Sequence, residues 1–466
     1  MNLSCENDRQ KSSGFHNNFL SRAWQIEFVS KIVDLTSPTF SREPAKAISA
    51  QLRVCTIIFA LVVIAGTLGA LRKDITQGFD EVAHTSYVAG LQQSGEWWPA
   101  LDKMRMLDPA SFRFGEQLNY LNLPPPYYLL LARLGPRLEG RPGAIIVHRL
   151  MNVIIVALGL AAILAIALFA RFSDLELYAY VVPIGAIPIL APLAGSINND
   201  NAAFFGGALA LLGAWQLVAA KRTMWLYVAL GGVLIASWAK LTGLMLSGGM
   251  LGGVFLWLLW RRRFRQEWVL PIAAAALLAA APYFVLILQY GSPTPNTPGR
   301  IEMFVSGAHT AGWDAAPRLS PISYTIFFIA QFIEQWMPSL STRSALNYSM
   351  LIIPMATALF AGAGVALSLR RIKRGEEGPL DIIVAAGSII GLATFVIHIA
   401  FSYKQHLAYG WMLDAYPRYY LPLLAVVPLA TLSLLTAIKE PRTRSALAGF
   451  LIAGPIVFRL LGAPLG

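Results

Sequence analysis

Apolar runs of about 20 residues recur along this chain with almost no charge inside them, the length a helix needs to cross the hydrocarbon core of a bilayer. No other feature limits the fold as strongly. With 56% hydrophobic residues over 466 positions, the chain lacks the polar surface that a soluble protein of this length would need. The expected fold class is an all-α polytopic membrane protein with about 11 transmembrane helices. The spans read as 53–71, 144–170, 177–194, 201–220, 223–239, 241–260, 268–289, 346–369, 380–402, 417–438 and 445–463. Residues 1–52 are polar and of mixed sign, and the first apolar run begins only near Val54, so the start does not read as a cleaved signal peptide. They are expected to form a cytoplasmic tail, partly disordered or with a short amphipathic helix around Trp24 to Val33. Residues 53–466 form the transmembrane domain.

Charge fixes the orientation. The 37 Lys and Arg against 25 Asp and Glu leave +12, a balance that could suggest nucleic acid. Its placement argues against that partner: Lys221-Arg222, RRRFR (261–265), RRIKR (370–374) and KEPRTR (439–444) all sit at helix ends, where positive charge sets topology and meets anionic lipid head groups. With the N-terminus inside, all four clusters fall on the cytoplasmic side. Cys5 and Cys55 fall there too, so no disulfide framework is implied. Two long external loops result. The first, 72–143, carries GFDEVAHTSY, Trp97-Trp98 and LNLPPPYYLLLARL, and escapes the positive-inside rule by its length. The second, 290–345, opens with GSPTPNTPGR and continues into ISYTIFFIAQFIEQW, expected as a helix in the interface or dipping into a cavity.

Unusual polar residues gather on the outer face: Asp80, Glu81, His84, Asn198, Asn199, Asp200, Lys240, Tyr403, Lys404, His406, Asp414, Arg418 and Tyr419. A transporter or flippase, the alternative reading, would instead place polar groups or broken helices near mid-membrane. The helix centres here are Ala, Leu, Ile, Val and Gly, which favours an enzyme with chemistry at one face. Asp80, His84 and Tyr87 would share a helix face, with Glu81 beside it. A carboxylate near low-dielectric surroundings can act as a general base, whereas an Asp-Glu pair at a helix start is ordinarily a cap. DExxH lacks the second His of the zinc-protease spacing. In SINNDN (196–201), Asn and Asp are standard turn and cap residues, yet Asp200 returns a carboxylate to the face of Asp80. Lys240 in SWAKLTG either snorkels or offers a point charge to a phosphate. In SYKQHLAYGWMLDAYPRYYLPLL, Lys404, His406 and Arg418 are further cations, and Arg418 has the planar head that pairs with phosphate oxygens.

FDEVAH, LPPPYYLL, RLMN (149–152), SINND, AKLTG (239–243) and YPRYYLPLL, taken in order over about 57 to 430, resemble the GT-C superfamily of integral-membrane glycosyltransferases. The nearest relatives in pattern are bacterial kin of protein O-mannosyltransferases and the lipid A aminoarabinose transferase. Many relatives have His-Pro before the tyrosines where this chain has Leu-Pro-Pro-Pro, and no large soluble domain is expected after the last helix. The resemblance implies a sugar passed from a polyprenyl-phosphate donor to an acceptor hydroxyl on the outer side of a bacterial inner membrane, with a glycan, lipid or protein as acceptor. It implies Asp80 as catalytic base, with Asp200 as the second acidic position and Glu81 as a weaker catalytic accessory. Lys240, Arg418, Lys404 and His406 become candidates for the donor phosphate, and His84, Asn199, Tyr127 and Tyr128 accessory residues. Relatives exist with and without a divalent metal, so Mg or Mn is left open as a cofactor.

Overall fold

A computed structural model of the chain describes residues 45–335, 352–412 and 415–462. The predicted tail helix, Cys5, the first part of the span at 346–369 and Asp414 lie outside the described residues. The first apolar run forms α1, Ala45–Arg72, which begins ahead of the expected position 53. The loop after it is itself structured. It contains α2 (Glu81–Ser94), an antiparallel hairpin of β1 (Arg105–Leu107) and β2 (Phe114–Leu118), and α3 (Pro126–Leu134). The hairpin is an addition to the all-α expectation.

The bundle continues with α4 (Ile145–Ala170), α5 (Asp174–Gly185), α6 (Leu190–Ala194), α7 (Asp200–Ala220) and α8 (Thr223–Ala239). It goes on with α9 (Leu241–Trp260) and α10 (Val269–Tyr290). The second loop carries α11 (Pro298–Thr310) and α12 (Pro321–Glu334). Then come α13 (Ile352–Arg374), α14 (Pro379–Tyr409), a 3₁₀ segment at Pro417–Leu423, α15 (Val426–Ala437) and α16 (Pro441–Gly462).

Among the described residues seven helices are long and apolar enough to cross a membrane, and the 3₁₀ segment with α15 makes an eighth if that pair, bent by 61°, counts as one span. Eleven were expected. Part of the difference has local causes, and α8, with 17 residues, falls short of a full span. The run at 177–194 is broken between Gly185 and Leu190, where Pro183 and Pro188 remove backbone donors. The span expected at 417–438 is bent where Pro417 and Pro422 open it in a 3₁₀ turn.

Between apolar helices in lipid there is little hydrophobic drive to associate, so close backbone approach and packing must hold them. Helix α7 is the hub: 83% of its apolar window is buried, against 17% for α13. It meets α8 through glycines. A Cβ on Gly206 would lie 2.3 Å from the Ala236 nitrogen, and one on Gly232 2.3 Å from the Ala210 nitrogen. On its other side Gly207 lies against Pro422, so even an alanine there would push away the segment that carries Arg418.

The basic clusters share one end of the bundle. Helix α9 starts beside Lys240 and ends about 30 Å away at Arg261, which pairs with Glu377 after the RRIKR cluster at 2.6 Å. The two long loops sit at the opposite end. There a second apolar core, with Tyr87, Tyr128, Leu131 and Ile145 buried, packs the first loop against the ends of α4, α7, α8 and α10. In the second loop, α12 buries Tyr324 and Phe328 beside α14 and leaves Ile322, Ile326 and Ile329 exposed. The helix is therefore amphipathic.

Candidate active site

At the loop end, four charged groups from four separate stretches of sequence meet. Asp80 precedes α2 and Asp200 opens α7, while Lys240 joins α8 to α9 and Arg418 stands in the 3₁₀ segment. The Arg418 Nη2 donates to Asp80 Oδ2, and its Nε lies 3.3 Å from Asp200 Oδ2. Lys240 Nζ donates to Asp200 Oδ1 at 2.5 Å and sits 3.6 Å from the centre of the Tyr419 ring. Phe79 and Tyr416 pack around the guanidinium at 5.5 and 4.8 Å. All four groups line one cavity of about 220 Å³.

Asp80 does not cap its helix. Its backbone is left-handed, with φ 58° and ψ 23°, and its side chain makes no bond to the α2 N–H groups. A non-glycine residue held there is uncommon, and Asp is among the few that tolerate it. The conformation turns the carboxylate toward Arg418, and the Tyr120 hydroxyl donates to its other oxygen at 3.1 Å. Burial alone would raise the Asp80 carboxyl, but Arg418, helped by Tyr120, holds it below the ordinary carboxylate range. With 38% of its side chain exposed, it is the most accessible of the four charges. Asp200 is 2% exposed and Lys240 8%.

The turn Ile197–Asp200 holds these charges in register. Asn198 Nδ2 donates to the Phe79 carbonyl, directly before Asp80, and Asn199 Nδ2 donates to the Ala239 carbonyl, directly before Lys240, both at 2.8 Å. Asn198 Oδ1 meanwhile accepts from the Asp200 N–H. The turn therefore clamps the peptides that carry Asp80 and Lys240 while presenting Asp200 itself. Asn198→Ala or Asn199→Ala removes the donor to one of these carbonyls in a buried setting, and each is expected to cost about 1–3 kcal/mol. A lower thermal midpoint in detergent, together with reduced turnover, is the expected reading.

Glu81 faces away from the cavity. It is 1% exposed and forms a two-pronged ion pair with Arg149 of RLMN, both bonds 2.8 Å, while its Oε1 also accepts from the Ile197 N–H at 2.9 Å. Lys73 lies 3.8 Å away. It ties α2 to α4 and to the Asn turn, a strut rather than the catalytic accessory expected. Glu81→Ala would leave Arg149 buried and short of its carboxylate, at an expected cost of about 3–5 kcal/mol, measurable as a loss of thermal stability.

Of the other expected residues, His84 and Asn199 line the cavity. His84 shares a hydrogen bond with the Tyr128 hydroxyl at 2.8 Å, and burial pushes its pKa down to about 3, so it is neutral. Tyr127 and Tyr128 lie behind the cavity wall: Tyr127 donates to Asn152, and Tyr128 stacks on Tyr87 with centroids 4.0 Å apart. Lys404 and His406 do not join the site. Lys404 is exposed, and His406 Nε2 accepts from the Leu319 N–H at 2.9 Å, holding the lead into α12.

The structure also brings in residues that sequence reading passed over. Arg300, in the first turn of α11, lines the cavity and donates to Asn122 Oδ1 at 2.7 Å, with its Nε unbonded. No carboxylate among the described residues pairs with it. Its only signal in sequence was a Pro-Gly-Arg ending a loop-like run. Ile397 and Phe401 of α14, with Leu241 and Met245 of α9, give the cavity an apolar wall. Met245 lies in a π-helical turn at Leu244–Gly248, one turn beyond Lys240, a distortion frequent at functional sites.

Arg418 already occupies the space between the Asp80 and Asp200 carboxylates, and no group of three or more His, Cys, Asp or Glu side chains is placed to hold an ion among the described residues.

Fold and site together define a multi-pass helical membrane protein with a carboxylate–cation cavity at one end of its bundle. Solved structures that resemble it include ArnT from Cupriavidus metallidurans bound to undecaprenyl phosphate and ArnT from the same organism in the apo state. Identity is 16% and 14%, and the TM-score is 0.47 in both; each comparison covers 84% of this chain and 61% of the other. The chain thus spans about three fifths of the length of those proteins. No protein-family model matches it, and no curated protein sequence does.

Proposed function

We propose that the chain is a membrane glycosyltransferase that moves a sugar from a polyprenyl-phosphate donor to an acceptor hydroxyl, with the loop end of the bundle facing the periplasm. The observation that carries this reading is the convergence of Asp80, Asp200, Lys240 and Arg418 on one cavity with an apolar side. A lipid-linked phosphodiester needs cations for its leaving group, a base for the acceptor and a greasy wall for its chain.

In the reaction, the acceptor oxygen attacks the anomeric carbon opposite the phosphate. The carbon–oxygen bond to phosphate breaks, its electron pair stays on the phosphate oxygen, and the acceptor proton passes to Asp80. Arg418 and Lys240 stabilise the charge that develops on the leaving phosphate, which would be costly in a low-dielectric site without them. Asp200 holds Lys240 in place.

In the resting state Arg418 makes Asp80 a poor base. Arrival of a phosphate draws the guanidinium toward the donor and frees the carboxylate, so basicity develops when substrate is present. The four central charges cancel, and Arg300 leaves one positive charge over for the incoming phosphodiester. Arg300→Gln is expected to weaken binding of decaprenyl phosphate about tenfold, read by fluorescence or calorimetric titration in detergent. Unchanged affinity would remove Arg300 from the donor site, and absence of binding by the wild-type protein would sink the reading.

A further inference from the structure

A second concavity, of about 1020 Å³, opens at the far end of α2. Its walls are the last turns of α2, the β1–β2 hairpin with the 3₁₀ turn before it, and the turn at 137–140. Those walls are fixed to one another. The Leu107 N–H donates to Ser86 Oγ of α2 at 2.8 Å, the Leu138 N–H donates to Gln92 Oε1 at 3.0 Å, and the Gly140 N–H reaches the Phe112 carbonyl at 2.8 Å. The Trp98 indole donates to Gln289 and the Leu101 N–H to the Tyr290 hydroxyl, anchoring the floor to the end of α10. The cleft is therefore formed before any ligand arrives.

Its charge is lopsided. Lys103, Arg105, Arg113 and Arg137 line it against Glu96 and Glu139, and the Arg137–Glu139 ion pair at 2.9 Å removes one of each. Among the described residues, Lys103, Arg105 and Arg113 have no side-chain partner. Across the first loop as a whole, acidic and basic residues balance. The acids, however, lie mostly elsewhere: Asp80 and Glu81 pair with Arg418 and Arg149, and Asp74 and Asp108, bonded to Thr76 and Ser111, are not part of the cleft lining. What remains is a hydrophilic cleft with three free cations facing the single carboxylate of Glu96, sized for an oligosaccharide rather than a single ion.

We infer that this cleft binds an acidic saccharide, one bearing carboxylate or phosphate groups, as the body of the acceptor. The acceptor role rests on the transferase reading above. Helix α2 links the two sites as one rigid element of 14 residues, about 21 Å long, with Asp80 at its start and the cleft at its end. The two cavities share no lining residue, so an acceptor seated in the cleft must be a chain of several sugars, about 20 Å from end to end, to bring a terminal hydroxyl to Asp80.

The test uses the full chain in phosphatidylcholine nanodiscs, with linear tetragalacturonate and its neutral tetragalactose counterpart as probes. The acidic probe should bind at least about tenfold more tightly, and Lys103→Gln with Arg105→Gln and Arg113→Gln should abolish that preference. All three side chains are exposed, so the variant should melt as the wild type does and keep its affinity for decaprenyl phosphate. Equal affinity for the two probes, or a preference that survives the triple substitution, overturns the inference. Nanodiscs containing phosphatidylglycerol form a further arm. Displacement of tetragalacturonate by that lipid would assign the cleft to the membrane surface and overturn the saccharide assignment. Failure of the wild type to bind decaprenyl phosphate would instead remove the transferase reading, and the acceptor role with it, whatever the cleft binds.

Discussion

Asp80→Asn is expected to lower sugar transfer by about 10²–10⁴-fold, the usual contribution of a positioned general base, with donor affinity close to wild type. The substitution keeps size and shape, and Asn tolerates the left-handed backbone that Asp80 adopts. It also leaves Arg418 facing Asp200. The variant should therefore fold and bind decaprenyl phosphate while failing in the chemical step. Single-turnover transfer, measured beside thermal unfolding, separates the two effects. A wild-type rate in a well-folded Asp80→Asn protein would mean that another group takes the proton.

Arg418→Gln should cost about 10²–10³-fold in turnover, the scale on which removing one transition-state charge partner is felt. It has a second signature that a structural residue would not give. Arg418 holds the Asp80 carboxyl below its ordinary range, so removing the cation lets burial raise it. The acid limb of the pH–rate profile should then move to higher pH. Arg418→Lys, which keeps the charge but not the fork that reaches both carboxylates, should restore the limb more fully than the rate. Stability follows the same linkage. A carboxyl depressed in the folded state contributes stability above its unfolded pKa and loses it as pH falls through the folded value. Wild type should thus lose more stability in acid than Arg418→Gln does.

The spans were legible because charge-poor runs of membrane length admit few readings. Their breaks were less so, since Pro183 and Pro188 interrupt a run whose hydropathy does not change. At the site, Asp80, Asp200, Lys240 and Arg418 could be grouped from topology alone, because each falls where a helix meets the same face. Rotation about the helices could not be read that way. Glu81 is one residue from Asp80, yet it opens α2 while Asp80 stands in a left-handed turn before the helix, and it points to Arg149 instead of the cavity. On α14 the cavity-facing residues Thr394, Ile397, His398, Phe401 and Ser402 follow helical spacing. Lys404, seven residues after Ile397, falls at the edge of that stripe but is exposed and outside the cavity, and His406 lies beyond the cavity against Leu319. Arg300 belongs to a loop helix whose place against the bundle depends on tertiary contacts, such as its bond to Asn122, that no local pattern encodes.

The most direct test of the account follows both halves of a donor in one vesicle preparation. Purified protein is reconstituted with a set of decaprenyl-phosphate-linked sugars, each doubly labelled in lipid and sugar, and envelope glycans are supplied as acceptors. The account predicts that, for at least one sugar, decaprenyl phosphate is released in step with sugar appearing on acceptor, one for one, and that Asp80→Asn stops both. Intact donor moving between leaflets without cleavage, at a rate that Asp80→Asn leaves unchanged, would contradict it and mark the protein as a lipid flippase.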